Sequence, residues 1–209
     1  MPPFQSTLLM LRQVRQRGDW DCGLACAEMV LAWATPNARE DAVALAHAVR
    51  TRSIWTVDLV ELLRARLGDR ITFHSLVLET SLHLAHDAFY TRDYLDDMAR
   101  IQPLFNAVVA AKCARRGSVS IDALRDALAN RDHVALVLID ARELTCCVQL
   151  PRSGTFQGHF IVVASISARG VAYVDPASPE HPCCWMSLES FEAARKSHGT
   201  DEDIILIRR

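Results

Sequence analysis

Apolar residues follow two rhythms in this chain, and the change between them divides it into two parts. From Leu24 to Ala34 (LACAEMVLAWA) they run nearly all the way round a helix, the mark of one buried on every side. Pro36 stops that helix. A second helical pattern covers 39–50, with Val43, Leu45, Ala46 and Val49 apolar. A third follows Thr56, which has the chemistry of an N-cap, through Leu59, Leu62, Leu63 and Leu67 to a stop at Gly68. Ile71–Leu78 alternates and predicts a strand. Helical spacing returns over 93–114, broken at Pro103, and Ser120 caps a helix over 121–130.

The last third is β-rich. HVALVLI (133–139), HFIVVASI (159–166) and VAYV (171–174) predict strands, the last two joined by a turn at Ser167-Ala168-Arg169-Gly170. A short helix over 188–196 and a final strand over 204–207 follow. Helices first and a sheet afterwards predict an α+β fold, with an N-terminal buried helix packed on a C-terminal antiparallel sheet. The 209 residues suit one domain, with a helical part over about 1–130 and a sheet part over about 131–209. Residues 141–158 carry no readable pattern, and there is no internal repeat.

Composition narrows the classes. Half of the residues are hydrophobic and 23% are charged, a globular balance. A net charge of -2 gives no bulk attraction to nucleic acid or to an anionic membrane. The groups Arg12, Arg15, Arg17 and Arg115, Arg116 read as solvated faces. No stretch resembles a leader peptide or a membrane span, so a cytoplasmic or nuclear location is expected. The seven cysteines (22, 26, 113, 146, 147, 183 and 184) are an odd number, which predicts thiols rather than a disulfide framework. The adjacent pairs Cys146, Cys147 and Cys183, Cys184 lack the spacing of zinc ligands, and His83, His86 and His133 have no partner spacing, so no metal site is expected.

Candidate chemistry starts at Cys22. It opens the first buried helix, where unpaired N–H groups and the helix dipole favour a thiolate. Gly23 beside it would let a substrate backbone approach, and Trp20 could wall the site. Gln16, six residues upstream, can fold back as an oxyanion donor beside the Cys22 N–H. Cys26, one turn on, reads as core. His159, after Gly158, begins one predicted strand and Asp175 ends the next. Similar residue counts to and from the turn bring the two together at the open end of the hairpin. On one face, Asp175 could orient His159 toward Cys22, but a one-residue slip in register would reverse the faces.

Two resemblances bear on these residues. The run Gln16-Arg17-Gly18-Asp19-Trp20-Asp21-Cys22-Gly23-Leu24-Ala25-Cys26 resembles the start of papain-like peptidases of the bacteriocin-processing type. Gly158-His159-Phe160-Ile161-Val162-Val163 and Tyr173-Val174-Asp175-Pro176-Ala177 resemble their His and Asp strands. The chain is closer still to the guanylyl cyclase domain-containing family, the plant-type soluble guanylyl cyclases. That likeness rests on Trp20–Cys26, on Gly158–Val162, on Arg195-Lys196-Ser197-His198-Gly199-Thr200-Asp201-Glu202-Asp203-Ile204 and on Trp55-Thr56-Val57-Asp58-Leu59. The residues point to a papain-like thiol hydrolase acting on a peptide or protein substrate, with no cofactor: Cys22 the nucleophile, His159 the base, Asp175 the orienting group. The family name implies the alternative, conversion of GTP to cyclic GMP with magnesium or manganese. A third reading is a binding module without chemistry. No Walker-type phosphate loop is present, and the acidic run Asp201-Glu202-Asp203, which could hold a metal, reads first as a solvated turn.

Overall fold

The computed structural model describes residues 11–36, 41–80, 94–129, 132–144, 155–178 and 183–209. Helix α1 (Cys22–Ala34) is buried along almost its whole length, as its all-round apolar pattern requires. Helices α2 (Ala42–Val49) and α3 (Thr56–Leu67) follow. The N-cap of α3 is Trp55, not Thr56, and Asp58 reaches back to accept the Trp55 N–H at 2.9 Å. Strand β1 (Ile71–Ser75) leads to α4 (Tyr94–Ala110), β2 (Ala114–Arg116) and α5 (Ile121–Ala129). Then come β3 (His133–Asp140), β4 (Gly158–Ser167), β5 (Gly170–Val174), β6 (Cys184–Met186), α6 (Leu188–Arg195) and β7 (Ile204–Arg208).

All seven strands join one mixed sheet in the order β2-β1-β7-β3-β4-β5-β6. The α+β class therefore holds, with two corrections. The sheet is not confined to the last third, because β1 and β2 come from the helical part, and the β1–β2 pair is parallel. Helices also lie on both faces. Side chains of α1 and α3, with Leu45 of α2 and Ile101 and Phe105 of α4, pack against Leu136, Phe160, Val162 and Ile205 on one face. Leu124 and Leu128 of α5 and Phe191 and Ala194 of α6 pack against Val137, Ile161, Val163 and Ile204 on the other. Coverage from both sides explains why β3 and β4 are continuous apolar runs without alternation.

Pro103 does not break its helix: α4 runs straight through it. Ile101, Phe105 and Val108 of α4 are buried in the same cluster as α3, so packing outweighs the one hydrogen bond that proline removes.

The β4–β5 hairpin positions the chemistry. From the turn, Ser167 pairs with Gly170, Ile166 with Val171 and Ser165 with Ala172. A bulge then shifts the ladder, so that Val163 pairs with Tyr173 and Val162 with Val174. Directly opposed residues share a face. Without the bulge, Asp175 would lie on the face of Phe160 and Val162. With the extra residue, Ala164, taken up in β4, it lies on the face of Ile161 and His159. The turn itself depends on Gly170. Its φ is +136°, and an added Cβ would collide with the Met186 carbonyl oxygen of β6. Gly170→Ala should therefore cost about 1–3 kcal/mol, read as a lowered urea midpoint at unchanged m-value.

Candidate functional site

Asp21 stands at the N-cap of α1 but does not cap it. Its carboxylate accepts the Arg17 N–H at 3.0 Å, the Gly18 N–H at 2.9 Å and the Arg17 Nε–H at 3.1 Å. The carboxylate thus folds the approach loop 17–21 and leaves the first amides of α1 without a side-chain cap. The strand-like lead-in is strapped across the end of β5. Gln13 Nε2 donates to the carbonyls of Asp175 and Ser178, and Gln16 N donates to Pro176 O at 3.0 Å.

This strap brings Cys22, His159 and Asp175 together. His159 Nε2 lies 2.8 Å from Asp175 Oδ1, which also accepts the Ala177 N–H at 2.8 Å. The Cys22 thiol neighbours the same imidazole and interacts with it electrostatically. With Nε2 engaged by Asp175, Nδ1 is the ring nitrogen left for the thiol. Burial disfavours charge on the ring. The Asp175 and Cys22 hydrogen bonds and charges outweigh it and raise His159 to about 10. Cys26 is core: its Sγ–H donates to Phe160 O at 3.3 Å, and burial pushes its thiol well up.

Other expected residues sit differently. The Gln16 side-chain amide donates to Gly18 O at 2.7 Å, so it braces its own loop, and its Oε1 is buried without a partner. Gly23 faces the protein, where a Cβ would meet Leu59 at 2.8 Å and Phe160 at 3.0 Å; it serves helix-to-sheet packing, not substrate approach. Cys146, Cys147, His83 and His86 lie outside the described residues.

A cleft of about 400 Å³ opens beside Cys22, within the range of small-molecule sites. Trp20, Cys22, Gly158 and Phe160 form one side. Arg52 and Trp55, from the segment leading into α3, form another, together with Asp97 of α4. Asp201 and Asp203, before β7, close it. The Arg52 guanidinium lies 5.4 Å from the centre of the Trp20 ring. Asp97 Oδ2 accepts from the Ser53 hydroxyl and from Trp55 Nε1 at 2.9 Å, while Arg100 pairs with both Asp97 and Asp58. That network fixes the Trp55 wall.

The acidic run is not a solvated turn. Asp201 and Glu202 adopt left-handed φ values of 48° and 53°. The turn is held by Leu76 N–H to Asp201 O at 2.8 Å and Leu138 N–H to Asp203 O at 3.1 Å. Asp203 is 9% exposed, and its Oδ1 is buried without a hydrogen-bond partner. Burial first, and then the Asp201 charge, push Asp203 up to about 8; the Ser75 and Thr56 hydroxyls offset only part of this.

Sequence reasoning did not assign Arg52 and Asp97 to a site, and it read Asp201 and Asp203, in a run that could hold a metal, first as a solvated turn. All four resemblance motifs, Trp20–Cys26, Trp55–Leu59, Gly158–Val162 and Arg195–Ile204, contribute residues to the lining of the cleft, and their joint occurrence was the signal available.

A protein-family model described as guanylylate cyclase matches residues 11–207. The chain is also 32% identical over 209 aligned residues to Guanylyl cyclase 1 of Arabidopsis thaliana, an alignment that covers 93% of this chain and 74% of that protein. These matches overturn the thiol-hydrolase expectation, and with it the description of Cys22, His159 and Asp175 as the triad of a cysteine protease, in favour of the alternative. Their span, nearly the whole described chain, means that this protein belongs to the guanylylate cyclase family.

Proposed function

We propose that this chain is a guanylyl cyclase that converts GTP to cyclic GMP and pyrophosphate in the cleft between Trp20 and Asp203. The ribose 3′-oxygen bonds to the α-phosphorus, the bond from that phosphorus to the bridging oxygen breaks, pyrophosphate leaves, and the hydroxyl proton passes to water. The observation that carries the reading is the Asp201 and Asp203 pair on a cleft that also presents Arg52 and two indoles.

A cyclase of this kind uses a divalent cation, and the residues fit one. The orphaned Oδ1 of Asp203 is a buried acceptor with no donor, next to a second carboxylate. Among the described residues no group of three or more His, Cys, Asp or Glu could hold a metal. That suits magnesium, which is commonly held by one or two carboxylates and takes its other ligands from phosphate and water. When bound, such an ion neutralises charge on the triphosphate. Asp201 and Asp203 would hold it, Arg52 would pair with phosphate oxygens, and Trp20 and Trp55 would flank the base. The order of a cysteine at a buried helix start, then a histidine strand, then an aspartate strand supports reading the scaffold as papain-like. A scaffold does not dictate its reaction.

Purified chain incubated with GTP and magnesium or manganese should yield cyclic GMP by mass spectrometry. Asp203→Asn should lower kcat by roughly 100-fold or more. Arg52→Ala should act mainly by raising KM. Absence of cyclic GMP with either metal, from folded protein, would overturn the reading.

A further inference from the structure

The proposed reaction leaves the best-organised reactive group of the molecule unused. Cys22 lines the cleft, while His159 and Asp175 stand behind it. The thiol is 8% exposed, so only a small reagent entering through the cleft can reach it. It lies at the start of a 13-residue helix whose first amides have no side-chain cap, beside an imidazole that Asp175 holds at 2.8 Å. The sulfur thus sits at a helix start with a held base beside it, the arrangement of an activated nucleophile.

We propose that Cys22 is a covalent modification site for small hydroperoxides, made nucleophilic by the His159–Asp175 pair, and that its oxidation switches off the cleft it lines. The sulfur, with its proton on His159, attacks the terminal oxygen of the hydroperoxide. An S–O bond forms as the O–O bond breaks. The departing alkoxide or hydroxide takes the proton from the His159 ring. Sulfur is oxidised by two electrons to the sulfenic acid, and the peroxide is reduced to an alcohol or water.

The neighbouring thiol does not intercept this product. Cys26 is fully buried, donates to the Phe160 carbonyl, and has its thiol pushed well up by burial. The sulfenic acid therefore waits for a small thiol from solution, whose two-step exchange restores Cys22 and makes the switch reversible. The loss of activity rests on the cyclase reading; the reactivity of the thiol does not.

The test treats the whole chain with hydrogen peroxide, traps sulfenic acid with dimedone, and reads each cysteine by mass spectrometry. Cys22 should be trapped about tenfold faster than Cys113, Cys183 or Cys184, and His159→Gln should remove the difference. If that variant does not fold, as judged by circular dichroism, Asp175→Asn takes its place. In parallel, the rate of iodoacetamide labelling of the unmutated protein at Cys22 should stay high below pH 7, where the other thiols become unreactive. Equal trapping at all cysteines, or an unchanged Cys22 rate in a folded His159→Gln protein, would overturn the proposal. Magnesium GTP should slow the labelling of Cys22. Failure of that protection counts against the nucleotide reading of the cleft, while the rate without nucleotide judges the thiol.

Discussion

Replacing Arg195 by alanine is expected to destabilise the protein by about 3–5 kcal/mol, the range for removing one partner of a buried ionic network. Among the described residues Arg195 is the largest fully buried side chain, at 0% exposure. Its guanidinium donates to Glu192, to Glu202 at 3.4 Å and to the Val119 carbonyl at 2.9 Å. The carbonyl of the same residue accepts from the Thr200 hydroxyl at 2.7 Å, at the entry to the strained Asp201–Glu202 turn. Truncation therefore removes the donor to the Val119 carbonyl, leaves Glu202 with the Ser118 hydroxyl and Glu192 with Lys196, and opens a void beside Phe191, over which the guanidinium lies at 5.9 Å. Urea unfolding should show a lower midpoint with an unchanged slope. Arg195→Lys should recover only a small part, because an ammonium cannot span three acceptors as a planar fork does. A loss below 1 kcal/mol for the alanine variant would show that the network is not a unit.

The second large effect concerns Asp203 and pH. Its folded value, about 8, stands above the ordinary carboxylate value of 3.8. The folded state thus binds the proton more tightly than the unfolded chain, and stability falls as pH rises between those two values. In buffer containing a chelator, the protein should lose stability from about pH 4 to about pH 8 through this group. Asp203→Asn, which is neutral throughout, should flatten that slope and be the more stable protein at pH 8, by on the order of a few kcal/mol. Magnesium or manganese should reverse the ranking in part: it raises the melting temperature of the original protein and leaves Asp203→Asn unmoved. A substitution that stabilises the fold while removing activity is what a carboxylate kept for function should give. A flat pH profile for both proteins would contradict the burial argument.

Elements with long apolar runs were legible from sequence. α1, α3, β3 and β4 lie within a few residues of the segments that their patterns predict, because burial dictates those patterns. Strands β2 and β6 were not legible, since three residues carry no period and each is recruited by pairing to an edge of the sheet. Pro103 misled because a local rule was set against burial that only the folded chain reveals. At the site, the meeting of Cys22, His159 and Asp175 could be argued from hairpin arithmetic, although its register could not. Gln16 and Gly23 illustrate the limit: the motif places them next to Cys22, but their side-chain partners, Gly18 O for one and Leu59 and Phe160 for the other, belong to packing. The burial of Asp203 was hidden because a run of three acids looks solvated unless one knows that Leu76 and Leu138 anchor its backbone.

The bulge at Ala164 has a consequence for how such proteins diverge. Whether His159 meets Asp175 depends on how β4 takes up its extra residue, not only on which side chains the chain carries. Deleting Ala164 would let β4 and β5 pair without interruption, and most of the core would remain covered. It would leave Val163 opposite Tyr173 and Val162 opposite Val174, and so keep the imidazole and the carboxylate on one face of the sheet. A relative could thus lack this alanine and still hold the pair, whereas one that kept every residue but paired β4 and β5 without the bulge would turn Asp175 away from His159. Comparison of sequences in this family should therefore tolerate a one-residue difference between His159 and Asp175 and ask whether β4 carries the bulge that absorbs it.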